Sequence, residues 1–160
     1  MATDYRVTMK ALKWVLGGLG VAGLLGLVSG KSAIKLSVFP VSGVTSMQPG
    51  FHKWPGHNGV DIFAPVGSPV FAVDNGLVSF STAALGGNVA HLTRADGVTF
   101  YYAHLDRFEG VNRAVLAGDT IGYVGNTGNA QNRPSHLHFE GRATPQGEPQ
   151  DMFDALEAVR

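Results

Sequence analysis

The sequence predicts a mainly β domain, an antiparallel sheet or sandwich with a hydrophobic helix at the N-terminus and a short helix at the C-terminus. Three observations carry that expectation. The 160 residues hold 22 glycines, nearly twice the usual share of about 7%. With 8 prolines they interrupt short apolar runs, as tight turns between strands do. The length fits one domain plus an accessory segment, with a core of ordinary size. The resulting partition is an export segment at 1–30, a short linker at 31–36, a folded domain at 37–144 and a tail at 145–160.

The first thirteen residues carry Arg6, Lys10 and Lys13 against Asp4, and a charge-free run follows from Trp14 to Gly30. As a helix that run reaches about 25 Å, short of the ~30 Å hydrocarbon core. Two readings follow: a cleavable signal, or a retained membrane anchor with Trp14 at the interface. Both place the remaining chain outside the cytoplasm. Residues 36–50 mix β-branched residues with turn formers, as an entry strand and loop would. The segments containing Asn75-Gly76, Asp96-Gly97 and Gly118-Asp119 read as apolar strands broken by turn dipeptides, and successive hairpins of this kind build an antiparallel sheet. In the last ten residues Met152, Leu156 and Val159 stand at helical spacing behind Asp151 as N-cap.

Composition removes several classes of function. Twelve basic and twelve acidic residues cancel, so there is no basic footprint for a nucleic-acid partner. The absence of cysteine excludes disulfides, thiolate metal sites and a thiol nucleophile. Any metal is therefore held by nitrogen and oxygen.

Such donors occur in three separated pieces. His136 and His138, in the stretch PSHLHFE, are one residue apart, and in a strand both rings project to one face while Leu137 and Phe139 anchor the other. His57 and Asp61 are four apart, and in an extended segment even spacing again gives one face, with Gly59 leaving room between them. An imidazole and a carboxylate so placed can hold a divalent cation. In TFYYAHL the alternation puts Tyr102 and His104 on one face, opposite Tyr101 and Ala103.

Taken together, HNGVDIFAPVGSPV, GGNV, YYAHLD, AGDTIGYVGNTGNA and SHLHFE resemble the lysostaphin-type (LytM-type) zinc endopeptidases, which cut the peptide part of peptidoglycan. The resemblance runs from about Leu36 to about Arg142 and implies a β fold of the duplicated hybrid type. It also implies one zinc ion held by His57, Asp61 and His138, with a fourth position open to water. His104 and His136 match the family's two unliganded catalytic histidines, either of which is left open as the base. The implied partner is a peptidoglycan peptide, with membrane association through residues 14–30 if the segment is retained.

Two departures stand out. Phe51 occupies the place of a tyrosine thought to help hold the transition state, and the stretch Asn129–Ser135 is longer than the simplest family version. His52 and His91 match no ligand position and read as a loop residue and a strand residue. A non-catalytic module of the same type, activating a cell-wall amidase, is the competing function, but such modules typically lack some of the metal ligands present here. A cytoplasmic phosphocarrier with paired histidines is disfavoured by the export segment and by Asp61.

Overall fold

Ten strands, a 3-10 turn and one short α-helix account for the regular structure of the computed structural model, which describes residues 33–50 and 56–160. These residues belong to a compact unit, Ser32–Arg160. The export segment expected at 1–30, together with Phe51 and His52, lies outside the described residues. Among the described residues no helix is long and apolar enough to cross a membrane.

The strands are β1 (Ser46–Pro49), β2 (Val60–Phe63), β3 (Pro69–Phe71), β4 (Gly76–Ala83) and β5 (Gly87–Thr93), followed by β6 (Thr99–Phe108), β7 (Arg113–Val115), β8 (Thr120–Val124), β9 (His136–Arg142) and β10 (Pro149–Gln150). Their hydrogen-bonded order is β1-β2-β9-β6-β5-β4-β7, with β10 on β9 and β8 joined to both β3 and β6. Every pairing is antiparallel. The mainly β antiparallel expectation therefore holds, as one continuous network.

Alternation decides which side chains enter the core. In β2, Val60 and Ile62 are fully buried, and in β9 Leu137 and Phe139 are too. Each contributes about 1.5–3 kcal/mol by leaving water. Asp61, His136 and His138 are thereby sent to the opposite face. Ile34 and Leu36, from the stretch expected as a linker, also join the core, as do Met152 and Leu156 from the tail. The tail forms α1 (Phe153–Glu157), and the Asp151 carboxylate accepts a hydrogen bond from the Phe153 N–H at 3.0 Å. The N-cap itself is Met152, not the expected Asp151, which stands one residue earlier and reaches the first turn from there.

The turn dipeptides differ in outcome. Asp96-Gly97 closes a hairpin between β5 and β6, with Gly97 at φ +90°. Asn75-Gly76 and Gly118-Asp119 instead join strands that do not pair with each other, since β3 pairs with β8 while β4 pairs with β5 and β7. These two turns brace one another: the Asn75 side chain accepts from the Ala117 N–H at 2.8 Å, and the Gly118 N–H donates to the Ala72 carbonyl at 2.9 Å. A dipeptide sets the local bend, but the core selects the strand partner.

The placement of His104 corrects the simple alternation. Along β6, Tyr102 pairs with Ala90 and Leu105 with Asn88, so Ala103 and His104 together oppose the single residue Val89. This is a β-bulge. It turns His104 away from the fully buried Tyr102 and onto the cleft side with Tyr101 and Ala103. The bulge also marks a change of partner, because β6 pairs with β9 up to Ala103 and with β8 from Leu105 onward. At the bulge His104 has φ +65°, a left-handed conformation that costs a residue with a Cβ about 1 kcal/mol or more.

That strain gives a test free of any assumption about chemistry. His104→Gly should be more stable than His104→Ala by about 1 kcal/mol, the reverse of the usual order within a strand. Denaturant unfolding of the two variants measures the difference, and an Ala variant as stable as the Gly variant would show that the backbone there is unstrained.

Candidate metal centre

Three adjacent strands deliver the site. In register, Asp61 of β2 stands opposite His138 of β9, which stands opposite Ala103 of β6. The Asp61 Oδ1 atom lies 2.9 Å from His138 Nδ1 and 3.1 Å from His57 Nε2. His57 precedes β2 in an irregular segment, where its ring Nδ1–H donates to the Gly50 carbonyl at 2.8 Å. The space left by Gly59 is filled differently from the sequence expectation. A Cβ there would fall 2.5 Å from the Phe139 carbonyl oxygen and 2.8 Å from the His138 ring, so Gly59 admits β9 rather than separating His57 from Asp61.

His57, Asp61 and His138 offer ligand atoms that all lie within 4.8 Å of one another, a group that could hold a metal ion. Nitrogen and oxygen donors suit zinc, whose bonds of about 2.0–2.2 Å set tetrahedral ligand atoms about 3.4 Å apart. The observed 2.9 and 3.1 Å are a few tenths of an ångström short of that edge. The donor set, two imidazoles and a carboxylate converging within 4.8 Å, is of the kind that suits such an ion.

His104 and His136 flank this group. Their ring centroids are 4.9 Å apart, and that of His104 is 6.0 Å from that of His138. His104 donates from Nδ1–H to the Thr127 carbonyl at 2.9 Å, and His136 donates likewise to the Pro134 carbonyl at 2.9 Å. Each bond fixes the tautomer and leaves Nε2 with its lone pair. Thr127 is itself held, since its hydroxyl donates to the Leu105 carbonyl at 2.8 Å and accepts from the Asn88 N–H at 3.0 Å. All five predicted side chains line one open cleft of about 790 Å³. His91 stands apart from the metal-capable group, on β5 with its ring 5.0 Å from Tyr101.

The cleft also contains side chains that sequence reasoning left without a role: Tyr101, Glu140 and Arg133. For Glu140 a signal was present. His136, His138, Glu140 and Arg142 share the even spacing of one strand face, so the alternation that brings the two histidines together extends to this carboxylate.

Charge in the cleft is strongly coupled. Burial opposes the ionised form of Asp61, yet the hydrogen bond and charge of His138, with His136 and His57 nearby, bring it down to about 2. Burial also disfavours protonation of His138, but the carboxylates of Asp61 and Glu140 outweigh it and raise the ring to about 9. For His104, burial and then the neighbouring His136 ring push it down to about 4.

Fold and trio together mark a metallopeptidase-type β domain. The chain belongs to peptidase family M23, whose model matches residues 55–152. The DD-carboxypeptidase/endopeptidase Mpg of Neisseria meningitidis serogroup B is 40% identical over 101 residues, 62% of this chain and 23% of that protein. The peptidoglycan DD-endopeptidase ShyC of Vibrio cholerae serotype O1 is 35% identical over 86 residues, 52% of this chain and 19% of that protein. The matched region thus spans a quarter or less of these relatives. Among solved structures, the catalytic domain of the antimicrobial peptidase lysostaphin from Staphylococcus simulans superposes with a TM-score of 0.59. It is 28% identical, and the match covers 78% of this chain and 90% of that domain.

The opposed histidine shifts predict how stability follows pH when divalent ions are chelated. Below 6.5 the unfolded chain takes up a proton that folded His104 refuses, so stability falls as pH drops towards 4. Above 6.5 folded His138 keeps a proton that the unfolded chain has lost, so stability falls as pH rises towards 9. The melting temperature in chelator should therefore peak near pH 6.5. Thermal melts between pH 4 and 9 that rise or fall steadily, with no maximum, would contradict this assignment.

Proposed function

We propose that the chain is an exported zinc-dependent endopeptidase that hydrolyses peptide bonds in the stem peptides or cross-bridges of peptidoglycan. The observation that supports this best is the convergence of two imidazoles and a carboxylate within 4.8 Å, flanked in an open cleft by two imidazoles whose Nδ1 atoms are tied to backbone carbonyls. Family membership and the peptidoglycan substrate in the name of ShyC support the same reading. The completeness of the trio speaks against an amidase-activating module that lacks metal ligands.

In this reading His57, Asp61 and His138 would hold one zinc ion. When bound, such an ion lowers the pKa of a coordinated water towards 7 and polarises a carbonyl oxygen. The chain's own contributions are positional. His104 and His136 present Nε2 atoms to the cleft, one to accept the proton of the attacking water and the other to stabilise negative charge on the former carbonyl oxygen. His104, held uncharged at neutral pH by its burial, becomes easier to protonate as negative charge develops beside it. Export is assigned to residues 14–30, which lie outside the described residues.

Two substitutions separate the roles. His138→Ala should lose bound zinc, whereas His136→Ala should retain it and lose about 10²–10⁴-fold in turnover, the usual value of general acid–base catalysis. Metal content and the release of new amino groups from muropeptides, before and after chelation, measure both. A His136→Ala variant that cuts at the parent rate would refute the division of labour, and a parent chain that binds no zinc would refute the reading itself.

A further inference from the structure

One histidine of the cleft is oriented differently from the rest. His57, His104 and His136 each tie Nδ1 to a backbone carbonyl. His138 does the opposite, turning Nδ1 towards Asp61 at 2.9 Å and directing Nε2 to the Glu140 carboxylate at 3.1 Å. Its ring orientation is thus set by a side chain. That side chain is in turn fixed, because Arg142 Nη2 donates to the other Glu140 oxygen at 2.8 Å while Arg142 Nη1 donates to the Gly147 carbonyl at 3.0 Å.

Glu140 is only 8% exposed. Burying a carboxylate is costly even when it is paired, and an apolar residue of similar size at such a position is often no less stable. A purely structural account would therefore leave its presence unexplained. Strand geometry supplies the reason, since His138, Glu140 and Arg142 lie on one face of β9 and form a chain from the metal-capable group to the Gly147 loop.

We propose that Glu140, braced by Arg142, is the positioning residue of the metal centre: it holds the His138 ring in the Nε2–H tautomer with Nδ1 aimed at the ion. The proposal rests on the reading of His57, Asp61 and His138 as zinc ligands and adds to it a residue that touches neither substrate nor ion. A carboxylate behind a ligating imidazole fixes its orientation and raises its basicity, and losing one typically weakens metal binding 10–100-fold.

The test is zinc affinity of the full chain, measured by competition with a chromophoric chelator, for the unsubstituted protein, Glu140→Ala and Glu140→Gln. The Ala variant should bind zinc about 10–100-fold more weakly. The Gln variant keeps a carbonyl acceptor and should recover most of that loss. Affinity unchanged in Glu140→Ala, or lost equally in both variants, would overturn the relay. An unsubstituted chain without zinc affinity would instead overturn the underlying assignment of ligands, so the two failures are distinguishable. If Glu140→Ala does not fold, imidazole ¹⁵N spectra of the unsubstituted zinc-loaded protein decide: a protonated Nε2 and metal-bound Nδ1 on His138 are expected, and the reverse overturns the proposal.

Discussion

The register of β9 between β2 and β6 is the constraint on which the cleft depends. Asp61, His138 and Ala103 are aligned by backbone hydrogen bonding, and the alignment is locked by Val60, Ile62, Leu137 and Phe139 on the reverse face. A slip of one residue would exchange the two faces, burying imidazoles in the core and exposing leucine and phenylalanine. The core thus specifies the site with no contact to a cation. Ala103 matters for its small size: it lines the cleft opposite His138, where a larger side chain would compete with the rings for space.

Beyond Ala103 the regular ladder ends. A straight continuation of β6 would direct His104 into the core beside Tyr102, whose hydroxyl accepts from the Val73 N–H at 3.0 Å in a fully buried setting. The bulge adds one residue, reverses the facing of His104 and lets β6 pass from β9 to β8. Strain at this point is compensated by local ties, with the His104 N–H donating to the Gly86 carbonyl at 2.8 Å and its ring to the Thr127 carbonyl. A residue with a Cβ in a left-handed conformation persists only where its surroundings hold it there, and such positions gather at functional sites.

How much of this could be read from sequence depends on the range of the interaction concerned. The alternation in SHLHF reports directly on sheet faces, so the facing of His136, Leu137, His138 and Phe139 was legible. The apolar spacing of Met152 and Leu156 was equally so, being local, whereas the helix begins one residue later than an N-cap at Asp151 requires. The bulge was not, because a left-handed strand position normally advertises itself by glycine and here carries histidine. Nor did Asn75-Gly76 and Gly118-Asp119 reveal that they link non-paired strands, since pairing is settled by burial of residues far away in sequence. The role of Gly59 depends on the same kind of distant partner: it makes room for the Phe139 carbonyl and the His138 ring, nearly eighty positions later.

Polar groups on one face of β9 are sustained by apolar groups on the other. Asp61 and Glu140 are carboxylates removed largely from water, and each would be strongly destabilising alone. The structure leaves no buried side-chain nitrogen or oxygen without a partner among the described residues, so their cost is limited to desolvation. The four fully buried side chains on the reverse face, at about 1.5–3 kcal/mol each, oppose that cost on the same two strands. Stability and site are therefore not separable by position here. A substitution at Leu137 weakens the very register that presents His136 and His138, because its fully buried side chain holds the reverse face of β9. It follows that the rigidity of the cleft comes from alternation itself: each strand residue that faces the cleft is held by the neighbour that does not.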